Sequence, residues 1–152
     1  MINSIEIRNF KCFHNISATV HNVNLLTGVN GRGKSSFLQS ILLLSQSWRK
    51  KQYRYLLPNG GWKSLGAFED IKNKYTDEDY VRFRIKTDDE KENTFSLTYK
   101  KSTEQDSFGE LVEFSVNDLK IDMATEESMG NNDDNPISKD SDGLTLATIA
   151  DY

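Results

Sequence analysis

Apolar and polar residues alternate from Ile2 to Phe10, with Ile5 and Ile7 on one side and Ser4, Glu6 and Arg8 on the other. That two-residue period predicts a strand. After a polar turn at His14-Asn15 the alternation returns over residues 16–20, predicting a second strand. Residues 23–27 (Val-Asn-Leu-Leu-Thr) form a short apolar stretch that predicts a third strand running straight into Gly28. From Ser35 the period becomes helical. Phe37, Ile41, Leu44 and Trp48 fall on one stripe, Leu38 and Leu42 lie beside it, and Gln39, Ser40 and Gln46 lie off it. The order is therefore strand, glycine loop, helix.

Beyond the helix, Pro58-Asn59-Gly60-Gly61 is a turn cluster. Three strand-like segments follow, at residues 80–87, 94–100 and 111–116, and the acidic stretch 88–93 between the first two reads as a hairpin tip. Residues 125–142 are rich in Asn, Asp, Glu, Ser and Gly, too polar to offset the entropy of ordering, so a mobile segment is expected there. The chain divides accordingly into a lobe at residues 1–123, a flexible acidic segment at 124–143 and a tail at 144–152. No internal repeat is apparent.

The glycine loop carries the chemistry. Gly28-Val29-Asn30-Gly31-Arg32-Gly33-Lys34-Ser35 matches the pattern G-x-x-x-x-G-K-[ST]. Glycines let the backbone turn tightly and bring successive N–H groups around phosphates. The helix that opens at the end of the loop adds its unpaired N–H groups and positive dipole end. In this pattern Lys34 reaches the β- and γ-phosphates, and the Ser35 hydroxyl is the ligand for Mg²⁺. ATP with Mg²⁺ is the expected ligand. Hydrolysis needs more: an acid after a run of about four apolar residues, to hold the metal from another strand. No such run follows residue 44, and Leu119-Lys-Ile-Asp122 is interrupted by charge.

Composition and charge narrow the picture. Of 152 residues, 36% are hydrophobic and 28% charged, as in a soluble domain. No apolar run approaches the ~20 residues of a membrane span. The N-terminus lacks the basic and apolar regions of a secretory signal, so a cytoplasmic location is expected. One cysteine, Cys12, forms no intrachain disulfide, and with only His14 and His21 it makes no zinc cluster. The net charge of −4 hides an asymmetry: residues 1–65 carry nine Lys/Arg against one acid, Glu6, and the rest are strongly acidic. The cluster Trp48-Arg49-Lys50-Lys51-Gln52-Tyr53-Arg54-Tyr55 mixes cations with aromatics, as single-strand-binding surfaces do. It also reads as a solvated helix end, whose cations the dipole favours.

The opening Ile5-Glu-Ile-Arg-Asn-Phe-Lys-Cys-Phe13, a second strand, and then Asn24-Leu-Leu-Thr-Gly-Val-Asn-Gly-Arg-Gly-Lys-Ser-Ser36 resemble the start of ABC-type ATPase heads. The resemblance is to the branch holding the structural-maintenance-of-chromosomes proteins, RecF and the overcoming-lysogenization-defect nucleases. Residues 36–46 with Gly61-Trp-Lys-Ser-Leu-Gly-Ala-Phe-Glu-Asp-Ile71 resemble a group of bacterial AAA-family ATPases, some of which accompany anti-phage systems. The match is good over residues 1–72. It implies an α/β P-loop NTPase fold, an ABC-ATPase-head-like N-terminal lobe whose central sheet packs the 35–48 helix beside a flanking antiparallel β region. It also implies a nucleotide site made of Asn30, Gly31, Arg32, Gly33, Lys34, Ser35 and Ser36, with Lys11 of the Asn-Phe-Lys stretch beside it and Ser35 as the metal ligand. The family closes its site with a Walker B acid and a Ser-Gly signature from a second head; this chain has neither. The implied partners are a second head or a C-terminal half, with DNA and an effector protein beyond them. The alternative is a catalytically inactive, nucleotide-responsive module that docks a partner protein.

Overall fold

The computed structural model describes residues 1–49, 54–88, 92–104 and 106–121. Its frame is one seven-stranded sheet in the order β2-β1-β4-β5-β6-β3, with β7 also pairing β6. The strands are β1 (Ile2–Phe10), β2 (Phe13–Thr19), β3 (Tyr55–Leu56), β4 (Tyr80–Asp88), β5 (Glu92–Lys101), β6 (Gly109–Val116) and β7 (Leu119–Ile121), and every pairing is antiparallel. Two helices accompany them, α1 (Lys34–Arg49) and the one-turn α2 (Phe68–Ile71).

Register explains the core. Ile5 pairs Ile85, which pairs Phe95, which pairs Val116; one step along, Ile7, Phe83, Leu97 and Phe114 make a second apolar row. All eight are buried, because residues two apart on a strand face the same side. Phe37, Leu43 and Leu44 of α1 and Phe68 and Ile71 of α2 join them in one cluster. The opposite face holds the intervening rows, Glu6 with Arg84 and Ser96, then Arg8 with Arg82 and Thr98. It is laced by ion pairs such as Arg82–Glu113 and Arg84–Asp118.

Three expectations change. The first turn lies at Lys11-Cys12 rather than His14-Asn15, so β2 begins at Phe13. Residues 23–27 form no strand: they pair with nothing among the described residues, and Val23 and Leu25 are 88% and 86% exposed. An unpaired strand leaves its backbone groups without partners, and here a local bond competes, with Asn24 accepting from His21 N and donating to His21 O. Finally, α1 is rotated relative to the predicted stripe. Ser40 and Gln46 are buried, while Leu38 and Leu42 are exposed. Burial of the polar pair is tolerated because both are satisfied: Ser40 Oγ donates to Phe37 O, and Gln46 bonds Leu57 O and Lys63 N.

The sheet is thus wholly antiparallel, with no separate central sheet among the described residues. Of the expected hairpin tip at 88–93, Asp88 ends β4 and Glu92 and Asn93 open β5; residues 89–91, the acidic segment, the tail and Asp122 lie outside the described residues, as do Lys50, Lys51, Gln52 and Tyr53 of the basic cluster.

Candidate nucleotide site

The glycine loop follows the 23–27 segment and enters α1 at Lys34. Gly28, Gly31 and Gly33 have φ of 134°, 82° and 93°. Side-chain-bearing residues rarely adopt such values, so the glycine spacing of the motif is a backbone requirement here. Gly33 O accepts the bond from Phe37 N at 2.9 Å that starts the helix. No acid lies in the first turn of α1, so nothing on the helix itself offsets its positive end. Lys34 folds back over the loop, its Nζ donating to Gly28 O at 2.6 Å and Val29 O at 3.0 Å. Asn30, Gly31, Arg32 and Ser35 are exposed along the rim, and Ser36 is half-buried.

Gly33 is also held from outside. A side-chain carbon on it would meet Phe13 Cε1 at 2.6 Å and Cys12 Sγ at 3.0 Å. The β1–β2 turn therefore sits directly on the glycine loop. Lys11, at φ 48°, belongs to that turn, and its Nζ donates to Gln39 Oε1 at 2.7 Å. Gln39 lies one helical turn past Ser35, so the β1–β2 turn meets the loop's end of α1 at two points, Phe13 and Cys12 against Gly33 and Lys11 on Gln39.

The turn is anchored from behind. Lys11 N donates to Ile71 O, and Asn73 N donates to Asn9 O. Asn9, buried and at φ 57°, donates to Glu78, which also takes Arg8 in an ion pair. Burial and the like charge of Lys63 push the Lys11 ammonium below its ordinary pKa, with Cys12 and Asp70 opposing. A cation destabilised by another cation is stabilised by an arriving anion.

The structure places the turn that carries Lys11 against Gly33 at the end of the glycine loop, with Lys11 itself bonded to Gln39. Gln39, Lys63 and Phe13 were missed. Gln39 was within reach of the sequence, since it follows Ser35 by four and shares its helix face. Lys63 and Phe13 depend on tertiary packing that no local pattern carries. No group of three or more metal-ligating side chains occurs among the described residues.

The AAA ATPase domain family model matches residues 1–145. The chain belongs to the AAA ATPase domain family. Among solved structures, the recombination mediator protein RecF of the RecFOR pathway, titled as its ATPrS form, matches with a TM-score of 0.51 and 22% identity. The match covers 80% of this chain and 28% of that one. The structure titled RecF-ATP matches at 22% identity and a TM-score of 0.49, covering 81% of this chain and 29% of that one. The first likeness is one of fold. A search of curated proteins returned no match. The fold is thus that of a P-loop NTPase domain with RecF-like architecture, seen here as an antiparallel sheet with one long helix. No helix among the described residues is long and apolar enough to cross a membrane.

Proposed function

We propose that this chain is the ATP-binding lobe of an ABC-type ATPase head. The observation that carries this reading is the loop of three positive-φ glycines, closed by Lys34 and delivered to the N-terminus of α1. The residues fit a nucleoside triphosphate: backbone N–H groups at a helix start, an ammonium already solvated by loop carbonyls, and no carboxylate in the first helical turn to repel phosphate. Lys34 releases Gly28 O and Val29 O to bond the β- and γ-phosphates, Ser35 holds Mg²⁺, and Lys11 adds a second cation from the β1–β2 turn. Asn30, Gly31, Arg32, Gly33 and Ser36 line the phosphates. Mg²⁺ held through the Ser35 hydroxyl would supply positive charge to offset that of the phosphates.

Turnover belongs to a completed site. The chain spans 28% of the matched RecF chain's length, and its sequence has no apolar run ending in paired acids after residue 44. Val23, Leu25, Leu26, Leu38 and Leu42 are exposed on the segments that flank the loop. An apolar strip beside a functional loop supports burial by a further lobe, either a C-terminal half or a second head. The completed protein couples nucleotide binding to work on DNA or to an effector, as in anti-phage systems. The same strip favours a second reading, a catalytically inactive module that docks a protein according to nucleotide occupancy. ATPase assays on the chain, alone and after addition of a C-terminal half, separate the two: turnover restored by the half supports the first reading, and its absence with nucleotide-dependent docking retained supports the second.

A further inference from the structure

Lys11 and Gln39 come from different elements, a β-turn and a helix, yet meet at 2.7 Å between Nζ and Oε1. The acceptor is an amide and not a carboxylate. An amide oxygen orients the ammonium by a charge-assisted bond while leaving its whole charge uncompensated. A carboxylate in the same place would cancel it. Lys63, a like charge, acts on the same ammonium; the Cys12 thiol and Asp70 oppose it, and Asp70, the carboxylate of the two, is 56% exposed and bonds Ala67 N through Oδ2. The backbone that aims Lys11 is fixed too, by its left-handed φ and the bond from Lys11 N to Ile71 O.

We infer that Gln39 is a positioning residue for the triphosphate, holding the Lys11 ammonium beside the phosphate loop with its charge intact. This rests on the proposed nucleotide site and adds to it a residue outside the glycine motif. ATP then gains more from the pair than ADP does, because the terminal phosphate brings the additional negative charge that a fixed cation meets.

Titration of the full chain with Mg²⁺-ATP and Mg²⁺-ADP by calorimetry tests it, using Gln39→Leu, Gln39→Glu and each in a Lys11→Met background. Gln39→Leu is expected to weaken ATP binding about tenfold, the size of one hydrogen bond to a charged group, and ADP binding less. Gln39→Glu is the decisive variant. It keeps a tether to Lys11, so a merely structural tie would leave ATP affinity unchanged, whereas a positioning role predicts a loss at least as large as that of Leu. In Lys11→Met, the Leu substitution is expected to cost nothing further. Wild-type affinity in Gln39→Glu, or the same loss from Gln39→Leu with and without Lys11, overturns the inference. Lys34→Ala serves as the control for the underlying reading: if it binds ATP as well as wild type, the nucleotide site itself is wrong, whatever Gln39 does.

Discussion

Phe13 occupies the space that a side chain on Gly33 would need, its Cε1 lying 2.6 Å from the ideal Cβ position. The glycine before the motif lysine thus serves two purposes, a left-handed backbone and close approach by the β1–β2 turn. Gly33→Ala is expected to destabilise the fold by about 1–3 kcal/mol from the backbone alone. The clash adds to this, and nucleotide response should disappear. Urea denaturation with and without Mg²⁺-ATP measures both effects. An unchanged midpoint would show that the turn does not pack on the loop.

Stability and binding separate at the other end of α1. Ser47 is fully buried, its Oγ donating to Leu43 O at 2.8 Å and accepting from Leu57 N at 2.9 Å. Ser47→Ala leaves the Leu57 N–H buried without that acceptor, a cost of about 1–3 kcal/mol. The increment that Mg²⁺-ATP adds to the melting temperature should stay as in wild type. Loss of that increment would mean that the helix end communicates with the loop.

Acid should loosen the anchor behind the β1–β2 turn. Arg8 first, then Asn9 and Tyr80, hold the Glu78 carboxyl below its ordinary value of 4.5. A depressed carboxylate contributes stability that is complete above the ordinary value and is lost as pH falls through the folded one. Glu78→Gln is therefore expected to be less stable than wild type at neutral pH, with the gap narrowing as pH falls below the ordinary Glu range. Denaturation midpoints from neutral pH down to about pH 3 follow this. A gap independent of pH would assign Glu78 a role other than its charge.

How far the sequence carried this picture depends on what each element leans on. The strand patterns of β1, β4, β5 and β6 were legible because one face of each is buried and the other is not, and the motif announced the loop. The 23–27 segment misled, since its apolar residues predict burial while its present neighbours supply none: Val23 and Leu25 face solvent. In α1, Ser40 and Gln46 looked outward by polarity, yet their bonds to Phe37 O and Leu57 O let them face inward. β3 and α2, at two and four residues, are too short for any period to be read, and tertiary contacts define them. At the site, Lys34, Ser35 and Lys11 came from motif and resemblance, but the Lys11–Gln39 contact required the fold.

The exposed apolar strip makes its own prediction. Leu25→Asn removes apolar surface that this chain leaves 86% exposed, so its stability should change by no more than about 0.5 kcal/mol. Association with a C-terminal half, followed by co-purification, should weaken. A large loss of stability in the chain alone would mean that the strip already packs internally.

Thermal denaturation with Mg²⁺-ATP, on wild type and Lys34→Ala side by side, tests most directly whether residues 28–35 bind a nucleoside triphosphate. At 100 times its Kd a ligand stabilises by about 2.7 kcal/mol, which for a domain of this size raises Tm by about 5–10 °C. That rise is expected in wild type, and none in a folded Lys34→Ala. An equal rise in both proteins, or no rise in a folded wild type, would contradict binding there.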